Sequence, residues 1–369
     1  MRANHPAQAG AGDPSRLADM DDFGTNPGAL NAKIYVPEQI AEKPPLVVVL
    51  HGCTQNARGY DRGSGWSQLA DEHGFLLLFP EQQRANNPNL CFNWFCPADN
   101  GRDRGEAQSI RQMISAMVDT HGADPSRIFV TGLSAGGAMT SVMLASYPEV
   151  FAGGAIIAGL PYGSASNIPQ ALEAMRGAAA FSAGDLGDRV RRASSHDGPW
   201  PRISIWHGSA DATVSSTNAD AILAQWLAVH GLKPTPDASE QIVGHRRRAW
   251  NDAAGRPLVE DYRIANMGHG TPLATTGQDA CGMAMPHMLE AGISSTRRIA
   301  SSWGLLHIGT ERKRAQPVEK AQEGTPALPV PRISRLEAWP PKPARSTTSG
   351  KAGVEKVIHD ALRAAGFMR

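Results

Sequence analysis

Short apolar runs alternate with amphipathic stretches between about residues 45 and 306. The runs at 46–50 and 75–79 are apolar at every position, which is typical of strands buried on both faces of a sheet. Residues 105–119 instead place Ile110, Met113, Ile114 and Met117 three or four positions apart, which predicts an amphipathic helix. This alternation predicts an α/β fold with a mostly parallel, doubly wound sheet and helices on both faces.

The remaining elements are predicted by the same patterns. An edge strand is expected at 32–36, and further strands at 128–131, 154–158, 202–206 and 258–265. Helices are expected at 66–73, 137–146, 169–176, 218–230 and 294–306. The loop 81–103 has neither pattern and is interpreted as a wall on the substrate side, and the irregular segment 160–200 is where a lid or cap insertion would lie.

The two ends of the chain differ in composition from its middle. Residues 1–24 are polar and rich in Ala and Gly, which predicts a flexible lead-in. Beyond about residue 309 the chain is rich in Pro, charged residues and Ser/Thr, which predicts a linker or disordered tail with one short helix at 354–367. One folded α/β domain is therefore expected at 25–308, followed by a tail at 309–369.

Composition limits the classes of partner. The 369 residues are 41% hydrophobic, which suits a globular protein with a sizeable core. Their net charge is +1, so no strong electrostatic attraction to nucleic acid or to an anionic membrane is expected. No apolar run is long enough to span a bilayer. The N-terminal residues contain no apolar h-region, so no signal peptide is expected. The oligomeric state stays open.

The chain has four cysteines, Cys53, Cys91, Cys96 and Cys281. They contain no C-x-x-C pair and fit no zinc site, so no metal is expected. Buried free thiols are one interpretation of them. Two disulfides, with three pairings, are the other, and the even number favours disulfides.

The strand predicted at 128–131 leads into Gly132-Leu-Ser-Ala-Gly136 and then into a helix of small residues. A Gly-x-Ser-x-Gly pattern between a strand and a helix indicates a nucleophilic serine on a sharp turn whose neighbours can carry no bulk. The alternative is an ordinary Gly-rich turn. The strand and helix on either side favour a nucleophilic Ser134 at a helix N-terminus.

A serine hydroxyl needs a base that takes its proton and an acid that orients the base. His269 is the candidate base, because it follows a predicted strand and lies between glycines near the end of the folded region. His51 and His207 also follow strands. Each of them begins a His-Gly turn, so we interpret both as structural or oxyanion-side residues.

Asp211, in the loop after the strand at 202–206, is the candidate acid. Asp185 and Asp188 are rivals in the irregular segment. The order Ser134, Asp211, His269 is the order of the catalytic triad in α/β-hydrolases.

A tetrahedral intermediate carries an oxyanion that two backbone N–H groups should face. One is that of Ala135, which follows the nucleophile. The other is assigned to Cys53, in the loop after an early strand. This chemistry needs no metal and no organic cofactor.

The chain resembles the poly(3-hydroxybutyrate) depolymerase family of esterases, α/β-hydrolases related to feruloyl and acetylxylan esterases and similar to carbohydrate esterase family 1. The resemblance covers about residues 30–308. It rests on His51-Gly-Cys-Thr-Gln55, Cys91-Phe-Asn-Trp-Phe95, Arg104-Gly-Glu-Ala107, Gly132-Leu-Ser-Ala-Gly-Gly137, Ile205-Trp-His-Gly208 with Asp211, Gly268-His-Gly-Thr-Pro272, and the segment from Ala291 to Gly304.

The resemblance implies serine ester hydrolysis through an acyl-enzyme with Ser134, Asp211 and His269 as the triad. It also implies a disulfide between Cys53 and Cys91. Cys96 and Cys281 are then left as the second candidate pair.

Aromatic residues in these stretches are candidates for binding the ester substrate, namely Trp94, Phe95 and Trp206. Members of the family are often secreted, and the cysteines agree with an extracellular or periplasmic location. A cytoplasmic location stays open because no leader is visible.

The leading hypothesis is a hydrolase of poly- or oligo(3-hydroxybutyrate) and related hydroxyalkanoate esters. A feruloyl or acetylxylan esterase acting on plant polysaccharide is the alternative. An acyltransferase would use the same acyl-enzyme, and a binding protein with a dead site is the alternative from another class.

Overall fold

The computed structural model describes residues 16–177 and 182–306. The strands of this part are β1 (Ala18–Asp19), β2 (Asn31–Tyr35), β3 (Leu46–Leu50), β4 (Leu76–Glu81), β5 (Ile128–Leu133), β6 (Gly153–Ile157), β7 (Arg202–Gly208), β8 (Ala238–Ile242), β9 (His245–Asn251), β10 (Pro257–Ile264), β11 (Thr271–Leu273) and β12 (Met288–Glu290). Its α-helices are α1 (Ala57–Ser64), α2 (Trp66–His73), α3 (Gly105–His121), α4 (Ala135–Ser146), α5 (Ile168–Met175), α6 (Ala183–Arg191), α7 (Thr217–His230) and α8 (Ser295–Ser302).

Ten strands of the described residues form one sheet in the order β1-β2-β4-β3-β5-β6-β7-β10-β9-β8. The central strands from β4 to β10 are parallel to one another. Antiparallel strands flank them, β1 and β2 on one side and β9 and β8 on the other. The mostly parallel α/β sheet expected from the sequence is confirmed.

The central strands are buried on both faces. In β3, Val48 packs into one core cluster with side chains of α3, α4 and α7. Its neighbours Val47 and Val49 pack into a second cluster with side chains of α2 and α8. Successive residues of a strand point to opposite faces, so an all-apolar strand needs helices on both sides, as found here.

The strands and helices predicted for the described residues are present. Elements that the sequence analysis missed include the β8–β9 hairpin, α1 and α6. The hairpin turn consists of Val243 and Gly244, both with positive φ (50° and 79°), as two-residue hairpin loops require. The first of these positions usually carries Asn, Asp or Gly, so a valine there gives no sequence signal for a turn. β8 is nearly all exposed, so it has no apolar pattern that would predict a strand.

Two further segments differ from expectation. Residues 16–24, assigned to a flexible lead-in, contain β1 and two buried side chains, Leu17 and Phe23, and β1 covers the strand expected at the edge. The segment 160–200 contains α5 and α6, and α6 packs on α7 through buried Leu186, whose carbonyl accepts a hydrogen bond from Gln225 (3.0 Å). The tail and its helix at 354–367 lie outside the described residues.

Among the described helices, none combines the length and the apolar character that crossing a membrane would require.

Trp303 directly follows α8 and is buried in the core. Its indole stacks on Phe129 (4.7 Å between ring centroids) and lies near-parallel to Trp66 (6.0 Å). We expect Trp303→Ala to lower the free energy of unfolding by about 3–5 kcal/mol, because it removes a large buried side chain and leaves a cavity. Urea denaturation measures this loss. In the control Val36→Ala, an exposed position, the change should stay within about 0.5 kcal/mol, and equal losses in the two variants would contradict the packing described.

Candidate active site

Ser134 lies between β5 and α4 in a strained backbone conformation. Its φ of 58° and ψ of −117° fall outside the regions that L-residues usually occupy. The surrounding structure holds this geometry, in part through the Ser134 N–H, which donates to the Ile157 carbonyl (2.9 Å). Ser134 is partly exposed, whereas every residue of β5 and α4 is buried, so the turn presents the Ser134 side chain to solvent.

The glycines on either side of Ser134 are required by close packing. A Cβ on Gly136 would lie 2.3 Å from the Leu50 carbonyl oxygen and 2.5 Å from that of His51. A Cβ on Gly132 would lie 2.5 Å from backbone atoms of Gly136. These approaches leave no room for a side chain, so the start of α4 can lie directly against the end of β3.

His269 and Asp211 form a close hydrogen-bonded pair. The Nδ1 atom of His269 lies 2.7 Å from Oδ2 of Asp211. The other carboxylate oxygen accepts the N–H groups of Thr213 and Val214, each at 2.9 Å. Because the ionised carboxylate only accepts, His269 donates from Nδ1, which leaves its Nε2 free to accept a proton.

The surroundings of Asp211 favour its ionised form. Burial alone would raise the pKa of the carboxyl, but hydrogen bonds from His207 and His269, the charge of His269 and the Val214 N–H lower it more. The pKa of Asp211 therefore lies well below its ordinary range. The carboxylate therefore stays charged at neutral pH.

His207 is buried and also contacts the Asp211 carboxylate. Its Nε2–H donates to the Val214 carbonyl (2.9 Å) and lies 3.3 Å from Oδ2 of Asp211. The two rival acids are elsewhere: Asp185 and Asp188 lie on α6, exposed, and hydrogen-bond to nearby side chains of that segment. The sequence analysis expected a structural or oxyanion-side role for His207, and the structure places it beside the acid.

His51 is fully buried, and both of its ring nitrogens form hydrogen bonds with backbone groups. Its Nε2 accepts the Gln82 N–H (3.1 Å), and its Nδ1–H donates to the Gly52 carbonyl (2.8 Å). Burial lowers its pKa, and so keeps the ring neutral. The structural interpretation of His51 agrees with these contacts.

The three candidate residues each follow the carboxyl end of a parallel strand in the centre of the sheet. Ser134 comes directly after β5, Asp211 follows β7 and His269 follows β10. These strands are parallel, with β6 between β5 and β7, so their carboxyl ends meet on the same side, where open α/β sheets bind ligands. The hydrogen bonds of the described residues include His269–Asp211 but none between Ser134 and His269. In enzymes without substrate this contact is often long.

Two backbone donors are free near the turn. Ala135 is the first residue of α4, so its N–H has no partner within the helix. The Cys53 N–H takes part in no hydrogen bond among the described residues, although those of Gly52, Thr54 and Gln55 all do. Free donors of this kind can bind a developing anion.

Cys53 and Cys91 form a disulfide, as the resemblance implied. The second pair is not formed: Cys96 and Cys281 are free thiols. Cys281 is buried in the core cluster beneath α2 and α8, whereas the loop around Cys96 packs its aromatic neighbours on the opposite face of the sheet. A bond between them would have to pass through the sheet.

Two of the candidate substrate-binding aromatics are core residues. Trp206 is fully buried, stacks on Tyr262 (3.7 Å between centroids) and donates to Ser204 Oγ, so its assignment as a substrate contact is wrong. The side chain of Trp206 points to the face of the sheet that α2 and α8 cover. Trp94 is only 7% exposed and packs in the other core cluster. Phe95 is partly exposed and packs edge-on against Trp94; its substrate role stays a prediction.

Comparison with known proteins identifies the family. A model of the family described as Esterase PHB depolymerase matches residues 30–249, more than half of the chain. The chain belongs to this esterase family. It is 45% identical over 292 residues to poly(3-hydroxyalkanoate) depolymerase C of Paucimonas lemoignei, covering 79% of this chain and 70% of that protein.

Acetylxylan esterases are also similar to this chain. Acetylxylan esterase of Coprinopsis cinerea is 33% identical over 71% of each chain. The solved acetyl xylan esterase from Aspergillus awamori superposes with a TM-score of 0.67 at 25% identity, covering 79% of this chain and 99% of that one. The α/β-hydrolase fold and the ester-hydrolase activity expected from the sequence are confirmed.

The disulfide assignment predicts a thiol count. Alkylation of the denatured protein without reductant should modify two cysteines, Cys96 and Cys281, and alkylation after reduction should modify all four. Intact mass measures both numbers. Four modified cysteines without reductant would contradict the Cys53–Cys91 bond, and none would indicate a second one.

The lowered pKa of Asp211 predicts a pH dependence of stability. Because folding lowers this pKa, the carboxylate stabilises the fold fully above its unfolded value of about 3.9, and the stabilisation is lost as the pH falls toward the folded pKa. We expect Asp211→Asn to lose on the order of 2 kcal/mol of unfolding free energy at pH 7 and progressively less below about pH 4. Urea titrations from pH 3 to 7 measure the difference. Asp21→Asn, at an exposed position, is the control, and a deficit that stays constant with pH would contradict this account.

Proposed function

We propose that Ser134, His269 and Asp211 form the triad of a serine esterase that hydrolyses poly- and oligo(3-hydroxyalkanoate) esters. The observation that carries the proposal is the hydrogen bond between His269 Nδ1 and Asp211 Oδ2 (2.7 Å), at the sheet edge where Ser134 is held on its strained turn. A base oriented by a buried carboxylate, at the same edge of the sheet as a partly exposed serine hydroxyl, is the arrangement that acyl transfer to serine needs.

In the acylation half-reaction, Ser134 Oγ attacks the ester carbonyl carbon while its proton passes to His269 Nε2. The imidazolium that forms is stabilised by the Asp211 carboxylate. When the tetrahedral intermediate collapses, the ester C–O bond breaks. The alcohol leaves with the proton from Nε2, and the acyl group stays on Ser134.

The negative oxygen of that intermediate lies, in this proposal, between the N–H groups of Cys53 and Ala135. Both are free to donate, and the second is at the positive end of α4. Donors that are already aligned need no reorganisation as charge develops, and losing one typically costs about 2.7–4 kcal/mol in the barrier.

Deacylation repeats the sequence with water as the nucleophile. His269 Nε2 takes a proton from the water, whose oxygen attacks the acyl carbon. The second intermediate expels Ser134 Oγ, which recovers the proton from His269. The products are a carboxylic acid and an alcohol, and for a hydroxyalkanoate polyester each product is a shorter hydroxyacid chain.

The choice of polyester rests on the relative from Paucimonas lemoignei, a poly(3-hydroxyalkanoate) depolymerase 45% identical over 79% of this chain. A second candidate is deacetylation of xylan. It is favoured by the superposition with acetyl xylan esterase from Aspergillus awamori, which covers 99% of that enzyme.

We also propose that the protein works in an oxidising compartment outside the cytoplasm. The Cys53–Cys91 disulfide supports this location, since such bonds form and persist mainly in secreted and periplasmic proteins.

Hydrolysis of amorphous poly(3-hydroxybutyrate), acetylated xylan, methyl ferulate and p-nitrophenyl butyrate, side by side, tests the proposal. We expect wild type to release hydroxyacids from the polyester fastest. Ser134→Ala should lower kcat by about 10⁴-fold or more on every substrate that wild type cleaves, because no other residue replaces the nucleophile.

His269→Ala and Asp211→Asn should also lower kcat, with KM little changed, and Asp185→Asn on α6 is the matched control that should retain full activity. Wild-type turnover in Ser134→Ala would contradict the mechanism. Serine-dependent activity confined to acetylated xylan or ferulate would replace the polyester with the second class of substrate. A large yield of new ester in the presence of an added alcohol would identify transfer rather than hydrolysis.

A further inference from the structure

Glu106 is a buried carboxyl group that the proposed mechanism does not use. It is the second residue of α3 and has no exposed surface. Its Oε1 accepts from Gln82 Nε2 (2.6 Å), and its Oε2 accepts from the Asn93 N–H (2.8 Å). Burial raises its pKa to about 8, the nearby charge of Asp99 raises it too, and the N–H groups of Asn93 and Gln82 lower it.

A carboxyl group in this position costs folding free energy, because no cation of the described residues pairs with it. Its two oxygens accept hydrogen bonds from two different segments. One is the end of β4, where Gln82 follows the strand, and the other is the loop that carries the disulfide. Glu106 therefore ties these segments together at the positive end of α3.

Gln82 passes this restraint on in two directions. Its Nε2 also donates to the Cys91 carbonyl (3.0 Å), and its backbone N–H donates to His51 Nε2 (3.1 Å). Its Oε1 accepts from Gln83 N and Asn86 Nδ2, so its amide has one orientation. The Cys91 carbonyl fixes that orientation, because a carbonyl oxygen can only accept, and Glu106 Oε1 accepts the second N–H of the same amide group.

Both directions end at one peptide group, the one between Gly52 and Cys53. The carbonyl of this peptide accepts from His51 Nδ1–H (2.8 Å), and His51 is oriented by Gln82. On the other side, the Cys53 side chain is bonded to Cys91, whose carbonyl Gln82 holds. The N–H of the same peptide is the free donor assigned to the oxyanion.

We propose that Glu106 is a positioning residue for the oxyanion donor: through Gln82, His51 and the disulfide, it sets the direction of the Cys53 N–H. This inference rests on the proposed function, since it needs that N–H to face the reacting oxygen. Glu106 itself touches neither the substrate nor the reacting atoms.

Glu106→Gln tests the proposal with almost no change of volume. The amide replaces one accepting oxygen with an NH₂ group, which must then face the N–H of Asn93 or of Gln82, so one hydrogen bond is lost. We expect kcat for p-nitrophenyl butyrate to fall about 10- to 100-fold, because a displaced donor weakens stabilisation of the transition state, and KM to change less than about threefold. Glu42→Gln, at an exposed position, is the control.

A double-mutant cycle with the disulfide separates positioning from a general loss of structure. Cys53→Ala with Cys91→Ala keeps the backbone N–H but cuts one of the two connections to Glu106. In that background Glu106→Gln should lower kcat by a smaller factor than in wild type. The same factor in both backgrounds would overturn the proposal, as would full kcat in Glu106→Gln.

Two further variants keep the outcomes distinct. If Glu106→Gln does not fold, Gln82→Met removes the same contact from the other partner and should show the same selective fall in kcat; an unchanged kcat overturns the proposal. Ser134→Ala reports on the proposed function alone. An inactive Ser134→Ala with a fully active Glu106→Gln would overturn only the positioning role, whereas an active Ser134→Ala would overturn both.

Discussion

The backbone of Ser134, with φ at 58° and ψ at −117°, is the constraint on which the site depends. That conformation costs about 1–3 kcal/mol and persists only because the surrounding structure leaves no alternative. Gly136 approaches the carbonyl of Leu50 so closely that the start of α4 lies against the end of β3. Since the loop after β3 holds the Cys53 N–H, this contact also relates the proposed nucleophile to its proposed oxyanion donor. The order of the parallel strands then brings Asp211 and His269 to the same edge of the sheet.

Much of this arrangement could be predicted from the sequence, because it depends on local patterns. Apolar runs predict buried strands, and Gly132 and Gly136 around Ser134 indicate a turn that tolerates no side chain. What could not be predicted depends on contacts between distant segments. Trp206 was expected to bind substrate because the predicted strand ends at 206, but β7 continues to Gly208 and keeps Trp206 inside a strand buried on both faces. The partner of Glu106 is equally invisible, since Gln82 is 24 residues away and the pair follows no spacing rule.

Buried hydrogen bonds surround the site on two sides and satisfy different needs. On the acid side, hydrogen bonds from His207, His269 and the Val214 N–H keep Asp211 ionised, which suits the role proposed for it beside an imidazolium. On the oxyanion side, Glu106 and Gln82 restrain the loop that carries Cys53. Polar networks in a core stabilise one arrangement when every member has a partner. The Gln82 amide has partners on both of its polar atoms, so the proposed oxyanion side is held in one arrangement before substrate binds, which is the form of preorganisation that acyl transfer rewards.

The central claim is that Ser134 is the nucleophile activated by His269 and Asp211. Labelling with a fluorophosphonate, followed by intact mass and peptide mapping, tests it most directly, because the reagent forms a covalent bond only with an activated hydroxyl. The account predicts one adduct per chain, on Ser134, formed fast in wild type and much more slowly in His269→Ala. An adduct on another residue, or labelling of Ser134 at the same rate without His269, would contradict it.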